Sequence, residues 1–355
     1  MPELPEIGKI SEEVFQDLIY PRLGAMRRDI LVGPQHGVDV GIVEIGDKAV
    51  ALTADPVFIV PEYGFERAAW FALHILASDV VTSGLPPAFL SIDLNLPMRM
   101  TQEELEIVWE TIHRECEKMG ASIICGHTAR YENCEYPMVG GATFIAVGEK
   151  DRYVTPKFIK KGDRLVITKG PAVEASGIFA TMFPKLLERE FGRDFKDKAQ
   201  NLFYKMSVVE DALTAVKVGV RDGGVSAMHD ATECGIWGAA WELAKAASLG
   251  IRIEKERIVT EECVSEICRY FNIDPYISIS EGTLLIAVRE KKAEEVVKVL
   301  EERGIPSSIA GEFTEERYGM VLIEEGRERP LVHPKIDPFW KAFYDALKRY
   351  GEMER

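Results

Sequence analysis

Apolar residues crowd one stretch of the chain above all others. From Ala68 to Val81 only His74, Ser78 and Asp79 are polar, which predicts a helix buried on nearly every side. It runs through the turn Ser83-Gly84-Leu85-Pro86-Pro87 into the strand-like AFLSIDLNL. Ahead of it, VDVGIVEI and KAVALTAD predict two strands joined at Gly46-Asp47 as a hairpin, with Asp39 near the start of the first and Asp55 closing the second. Residues 1–35 read as a lead-in and one helix capped by Ser11. After the buried helix, Thr101-Gln102-Glu103-Glu104 is a capping-box pattern opening a helix that ends near Gly120. ASIICGHT and MVGGATFIAVGE then predict strands that close a first half near Lys150.

The second half opens with the strand KKGDRLVITKGP, so the boundary is expected near Thr155-Pro156, giving domains 1–155 and 156–355. Segment 174–206 reads as helix and irregular connection. Ser207-Val208-Val209-Glu210 is a second capping-box pattern, starting a helix to about Val218. VSAMHDATECGIWGAAWELAKAA predicts a strand, a polar turn and a helix from Gly235. EGTLLIAV is a strand, KKAEEVVKVLEERG an amphipathic helix and MVLIEE a final strand. Asp337-Pro338 starts a terminal helix with Trp340, Phe343, Tyr344 and Leu347 on one face. Neither half alternates strand and helix regularly, which favours two α+β domains over a doubly wound sheet.

Composition narrows the function. The 355 residues, 46% hydrophobic, suffice for two cores. No apolar run approaches the roughly 20 residues of a membrane span, and MPELPEIGKISEE lacks a signal-peptide pattern, so a cytoplasmic protein is expected. A net charge of −15 argues against nucleic acid or an anionic membrane as partner. A nucleotide would therefore arrive with a divalent cation. The six cysteines form no C-x-x-C pair and are expected to be reduced.

A carboxylate in a buried helix is costly unless it is hydrogen-bonded or neutralised, and Asp79 shares its context with Asp39, Asp55 and Asp230. Each lies at the end of an apolar element beside a turn. Such a set suits magnesium, which takes few carboxylates and leaves room for phosphate oxygens; four unrelated turn residues are the plainer alternative. The sequence contains neither a G-x-x-x-x-G-K-[ST] loop nor a G-x-G-x-x-G after a strand. Cys125-Gly126-His127-Thr128 offers backbone N–H groups and a hydroxyl for phosphate, or is an ordinary turn. His229-Asp230 could be a base with its orienter, but neighbours on a strand point to opposite faces, and a structural histidine fits equally well.

Taken in order, Gly37-Val38-Asp39, Thr53-Ala54-Asp55, Ala77-Ser78-Asp79 with Gly84 and Pro87, Gly126-His127-Thr128, Gly162-Asp163, His229-Asp230-Ala231-Thr232, Ser280-Glu281-Gly282-Thr283-Leu284-Leu285 and Ile309-Ala310-Gly311-Glu312 resemble the aminoimidazole ribonucleotide synthetase (PurM-like) superfamily. Gly8-Lys9 looks most like its hydrogenase-maturation branch. The resemblance implies an N-terminal domain that forms a β-barrel with its copy in a homodimer, and a second α+β domain. It also implies ATP between the domains, with magnesium on Asp39, Asp55, Asp79 and Asp230. Asp55, Asp79 and His229 are then the candidate catalytic groups. Lys9, Gly37, Thr53, Gly126, His127 and Thr128 are the candidate nucleotide contacts.

The chain also departs from the family. Where members often have Gly-Gly-Asp-Thr it has Cys125-Gly126-His127-Thr128, and where they often have His-Asp-x-Thr-x-Gly-Gly it has Cys234 for a glycine. Hydrogenase-maturation members end in Pro-Arg-Ile-Cys; here no cysteine follows Cys268. The expected activity is Mg-dependent phosphorylation of a small acceptor or an amide-type oxygen by ATP. The alternatives are a kinase like thiamine-monophosphate kinase and a nucleotide-binding partner of a maturation or assembly protein.

Overall fold

The computed structural model describes residue 10 and residues 12–354; Lys9, with Gly8 and the Ser11 cap, lies outside them. In the first half run β1 (Ile30–Val32), β2 (Gly41–Ile45), β3 (Lys48–Asp55), β4 (Phe58–Ile59), α1 (Phe65–Val81), β5 (Pro87–Leu96), α2 (Gln102–Met119), β6 (Ser122–Arg130), β7 (Met138–Val139) and β8 (Gly141–Glu149). Six strands form one mixed sheet in the order β1-β2-β3-β8-β5-β6, and β4 pairs with β7. The hairpin at Gly46-Asp47 forms in the register Ile45 opposite Lys48. On β3, Ala49, Ala51 and Thr53 are buried in strict alternation, so every second side chain faces the core. Thr101 caps α2 with both bonds of the capping box, and Gly120 ends it in the left-handed conformation.

The second half contains β9 (Arg164–Thr168), α3 (Val173–Met182), α4 (Pro184–Phe191), α5 (Arg193–Gln200), α6 (Val209–Ala215), β10 (Val225–Ala231) and α7 (Gly235–Ala246). It continues with β11 (Gly250–Glu254), α8 (Glu262–Tyr270), β12 (Thr283–Val288), α9 (Ala293–Glu301), β13 (Ser307–Thr314), β14 (Met320–Glu324), β15 (Arg327–Pro330) and α10 (Pro338–Glu354). Its mixed sheet has the order β10-β12-β9-β13-β11-β14-β15. The chain is thus a two-part α+β protein with one large mixed sheet in each part.

Helix α1 is buried over most of its length because it lies between the two parts. It packs on the first sheet, and Ser78 Oγ accepts the Val208 N–H at 3.1 Å from the second part. His74 reaches Ser207 Oγ at 2.8 Å.

Local signals failed where a tertiary partner took the group they relied on. Ser207 does not form a capping box on α6: the N-cap is Val208, and the Ser207 hydroxyl meets His74 at 2.8 Å and accepts the Val209 N–H at 3.4 Å. Segment 174–206 is ordered as α3, α4, α5 and a 3-10 turn. MVLIEE is not the last strand, because β15 follows it. On α10 the buried residues are Phe339 and Ala346, whereas Tyr344 is exposed. Glu354 at its end accepts the N–H groups of Lys185 (3.0 Å) and Leu186 (2.8 Å) and so caps α4.

Candidate functional site

Four separate elements deliver the acids. Asp39 lies in the loop before β2, Asp55 ends β3, Asp79 stands in the last turn of α1 and Asp230 near the end of the fully buried β10. The Thr53 hydroxyl donates to Asp79 Oδ2 at 2.8 Å. The four converge electrostatically: Asp79 is pushed well above the usual carboxylate range by burial first, then by Asp230, Asp55 and Asp39. The sequence treated them as separate turn residues or one cluster, and their spatial relation is a cluster.

His229 sits between two acids. Its Nδ1 lies 2.8 Å from Asp39 Oδ2 and its Nε2 3.1 Å from Glu242 Oε2. Burial alone would lower its pKa, but attraction and hydrogen bonds from Asp39 and Glu242 outweigh this and hold it well above the usual value. Both of its ring nitrogens are thereby engaged by carboxylate oxygens. Donor atoms of Asp39, His229 and Asp230 lie within 4.8 Å of one another, the compass of one metal ion. With both nitrogens of His229 engaged by carboxylates, a cation here would be held by the carboxylates, with His229 orienting Asp39.

Three further acids belong to this region and were given no role from sequence. Glu281, 1% exposed, begins the turn into β12; its pKa is raised well above normal by burial, then by Asp230 and Glu174. Its carboxylate oxygens have no partner at hydrogen-bond distance among the described residues, and the Ser78 hydroxyl offsets the rise only in part. Glu174 Oε2 accepts the Glu281 N–H at 3.0 Å. Glu242 is the third. Glu174 and Glu242 are each a lone acid among apolar helix positions, the same signal that singled out Asp79.

The turns carrying these residues need glycine. At Gly37 (φ +73°) a Cβ would stand 2.6 Å from the Glu242 carbonyl oxygen, and at Gly282 (φ +100°) 2.3 Å from that of Lys205. Both positions are closed to side chains by strain and by contact.

Gly126 and His127 line one hollow with Asp55, Asp93, Ser91 and Thr143. His127 is exposed and meets the Tyr131 hydroxyl at 2.9 Å. Thr128 is not in that hollow; it lines another with Gln102, Leu105 and Trp109. Cys234 is buried, its thiol pushed up to about 12 by burial, which makes it a poor nucleophile. All six cysteines are free thiols. No helix among the described residues is long and apolar enough to cross a membrane.

The carboxyl groups crowded around Asp79 and Glu281, both held well above the usual carboxylate range by burial and by their neighbours, are an arrangement that a hard divalent cation fits. Comparison with known proteins gives this geometry a context. A putative hydrogenase expression/formation protein of Methanocaldococcus jannaschii is 25% identical over 339 residues, covering 93% of this chain and 96% of that protein. Carbamoyl dehydratase HypE of Escherichia coli is 25% identical over 267 residues, 74% of this chain and 75% of the relative. The crystal structure of hydrogenase maturation protein HypE in complex with ATP superposes with a TM-score of 0.65 at 20% identity, covering 94% of this chain and 97% of the other. Models of the AIR synthase related protein N-terminal and C-terminal domains match residues 37–147 and 160–323, and the chain belongs to that family.

Proposed function

We propose that this protein binds ATP with magnesium at the acid cluster and transfers the γ-phosphate to an amide-type oxygen or another small acceptor. The observation that carries the reading is the convergence of Asp39, Asp55, Asp79 and Asp230 with Glu281, whose carboxylate oxygens are buried with no hydrogen-bond partner among the described residues. That much negative charge is costly in a protein interior unless a cation meets it. The ATP complex of a HypE protein with the same fold supports the nucleotide, and the name carbamoyl dehydratase supports an amide-type acceptor.

In this reading Asp39, Asp55, Asp79 and Asp230 hold magnesium. In transfer the γ-phosphoryl group would bond to the acceptor oxygen as its bond to ADP breaks, and magnesium held there would supply neutralisation of the phosphate charge. Thr53 fixes the Asp79 carboxylate through its hydroxyl, and His229 fixes Asp39. Cys125-Gly126-His127-Thr128 is not a turn but part of β6; Gly126 and His127 border the hollow in which phosphate would lie beside Asp55, and Thr128, in another hollow, keeps no part in this reading. Lys9 would close over the phosphates from the N-terminus. The domains divide near residue 155, and the protein works in the cytoplasm.

A homodimer is part of the same reading. The edge strand β6 is mostly exposed, and Ile45, Phe89 and Ile124 leave apolar side chains open on the first sheet, as a sheet awaiting a second one would. Light scattering should give a mass of two chains.

The test of function is ATP turnover with magnesium in wild type and Asp55→Asn. Turnover should vanish in the variant while its circular dichroism spectrum stays that of the wild type. Undiminished turnover would overturn the assignment of Asp55.

A further inference from the structure

We infer that Glu242 and His333 are positioning residues, which set the orientation of the Asp39 carboxylate through His229. The inference rests on the magnesium site proposed above and adds residues to it that lie outside the acid cluster itself.

The contacts form a line. His229 bridges Asp39 and Glu242, and the other oxygen of Glu242 lies 3.3 Å from His333 Nε2. His229 is the most enclosed of the four, with 6% of its side chain exposed; Asp39 has 12%, Glu242 23% and His333 22%. A ring held at both nitrogens by carboxylates has one orientation. Glu242 offers one oxygen to His229 and the other to His333, and in Glu242→Gln only one acceptor oxygen remains for the two histidines. The ring is then less restrained, and the Asp39 oxygen it holds is released with it.

A second contact joins the same two elements independently of side-chain charge. The loop that carries Asp39 passes so close to α7 that a Cβ at Gly37 would stand 2.6 Å from the Glu242 carbonyl oxygen and 3.1 Å from its Cβ. One residue of α7 therefore meets the Asp39 loop through its backbone, and Asp39 itself through His229. The place of α7 determines where this acid of the cluster stands.

His333 extends the line to the segment between β15 and α10. Its ring meets Trp241 edge-on at 5.3 Å. Four residues on, Asp337 accepts the N–H groups of Cys234 (2.8 Å) and Phe339 (2.9 Å). The segment is thus tied at both ends to α7 and the turn before it, and it supports Glu242 from the side away from the acids. A role confined to stability would need these contacts but would not couple them to metal affinity.

The experiment is calorimetric titration of magnesium into the full-length protein saturated with a non-hydrolysable ATP analogue, alongside thermal melting without magnesium. Glu242→Gln keeps the shape and removes the charge. Its magnesium affinity should fall about 10–100-fold, the usual cost of losing a group that orients a metal ligand, and His333→Gln should cause a smaller loss in the same direction. Unchanged affinity in Glu242→Gln, whatever happens to its melting temperature, would overturn the inference and leave Glu242 a structural residue. If that variant does not fold, His333→Gln decides, and wild-type affinity in it would be equally fatal. Wild-type protein that takes up no magnesium would refute the underlying site and the inference together, an outcome distinct from either variant result.

Discussion

Two polar clusters join the halves of this protein, α1 contributes to both, and they differ in how their charges are met. In one, His74 of α1 meets Ser207 and Glu115, Glu115 meets Lys118 at 2.8 Å, and buried Lys169 pairs with Asp211 at 3.0 Å and with the Ser207 carbonyl at 2.6 Å. Each charge has an opposite beside it. In the other, Asp79 of the same helix stands among Asp39, Asp55 and Asp230, with Glu281 close by, and His229 is shared between Asp39 and Glu242. The first arrangement is complete in the protein alone and reads as structure. The second becomes electrically reasonable only when a cation enters, which is how a binding site differs from an interface made of the same residue types.

The largest expected effect would break the second cluster. Asp79→Asn should abolish magnesium-dependent binding of an ATP analogue, measured by calorimetry, and yet raise the melting temperature of the metal-free protein at neutral pH, a gain of about 0.5–2 kcal/mol. The sign follows from the raised pKa of Asp79. A raised carboxyl stabilises the fold below its unfolded pKa of about 4 and loses that contribution as pH rises, so the advantage of the variant should disappear below about pH 4. A lower melting temperature at neutral pH would contradict the account of strained charge.

Breaking the first cluster should do the opposite. Lys169→Met leaves Asp211 buried without its cation and should cost about 3–5 kcal/mol in chemical denaturation. Among chains that still fold, magnesium affinity should stay at the wild-type level.

The acid limb of stability sharpens the contrast further. Glu115 is held at about 2, chiefly by its hydrogen bond from His74 and also by Lys118, against the effect of burial. His74 itself is lowered by burial, so at neutral pH it is a neutral ring that donates from Nε2 to Glu115 and accepts the Ser207 hydroxyl at Nδ1. A depressed carboxyl contributes stability that is present above its unfolded pKa and lost as pH falls through the folded one. Wild type should therefore lose up to about 3 kcal/mol between about pH 4.5 and pH 2 that Glu115→Gln does not lose, as acid titrations of both proteins would reveal.

The smallest effect gives the baseline outside both clusters. Thr101→Ala removes the cap of α2 and should cost about 1 kcal/mol in urea denaturation, with no change in magnesium affinity.

The parts of the fold that were legible in the sequence are those decided within a few residues. The capping box at Thr101, the hairpin at Gly46-Asp47 and the apolar run of α1 each contain their own instruction. Residues 207–210 carry the same capping pattern as 101–104, but the serine hydroxyl is shared between the Val209 N–H and His74, 133 residues away, and the helix starts one residue later, with Val208 as its N-cap. Strands β1, β11 and β15 escaped notice because they are short or polar and acquire their pairing from distant neighbours. The candidate site was legible in part. Acids at the ends of apolar elements marked Asp39, Asp55, Asp79 and Asp230, while Glu174, Glu242 and Glu281 sit among apolar residues whose burial alone hid what they face.

By itself the sequence determined the two α+β parts, the burial of α1 and the residue types available for a cation, because periodicity, turn chemistry and the cost of burying charge act locally. Only the tertiary structure decided that four aspartates from four elements share one space, that His229 bridges two carboxylates, and that Thr128 stands apart from Asp55. Those outcomes depend on which distant group comes within about 3 Å of another, a distance at which hydrogen bonding and charge set protonation.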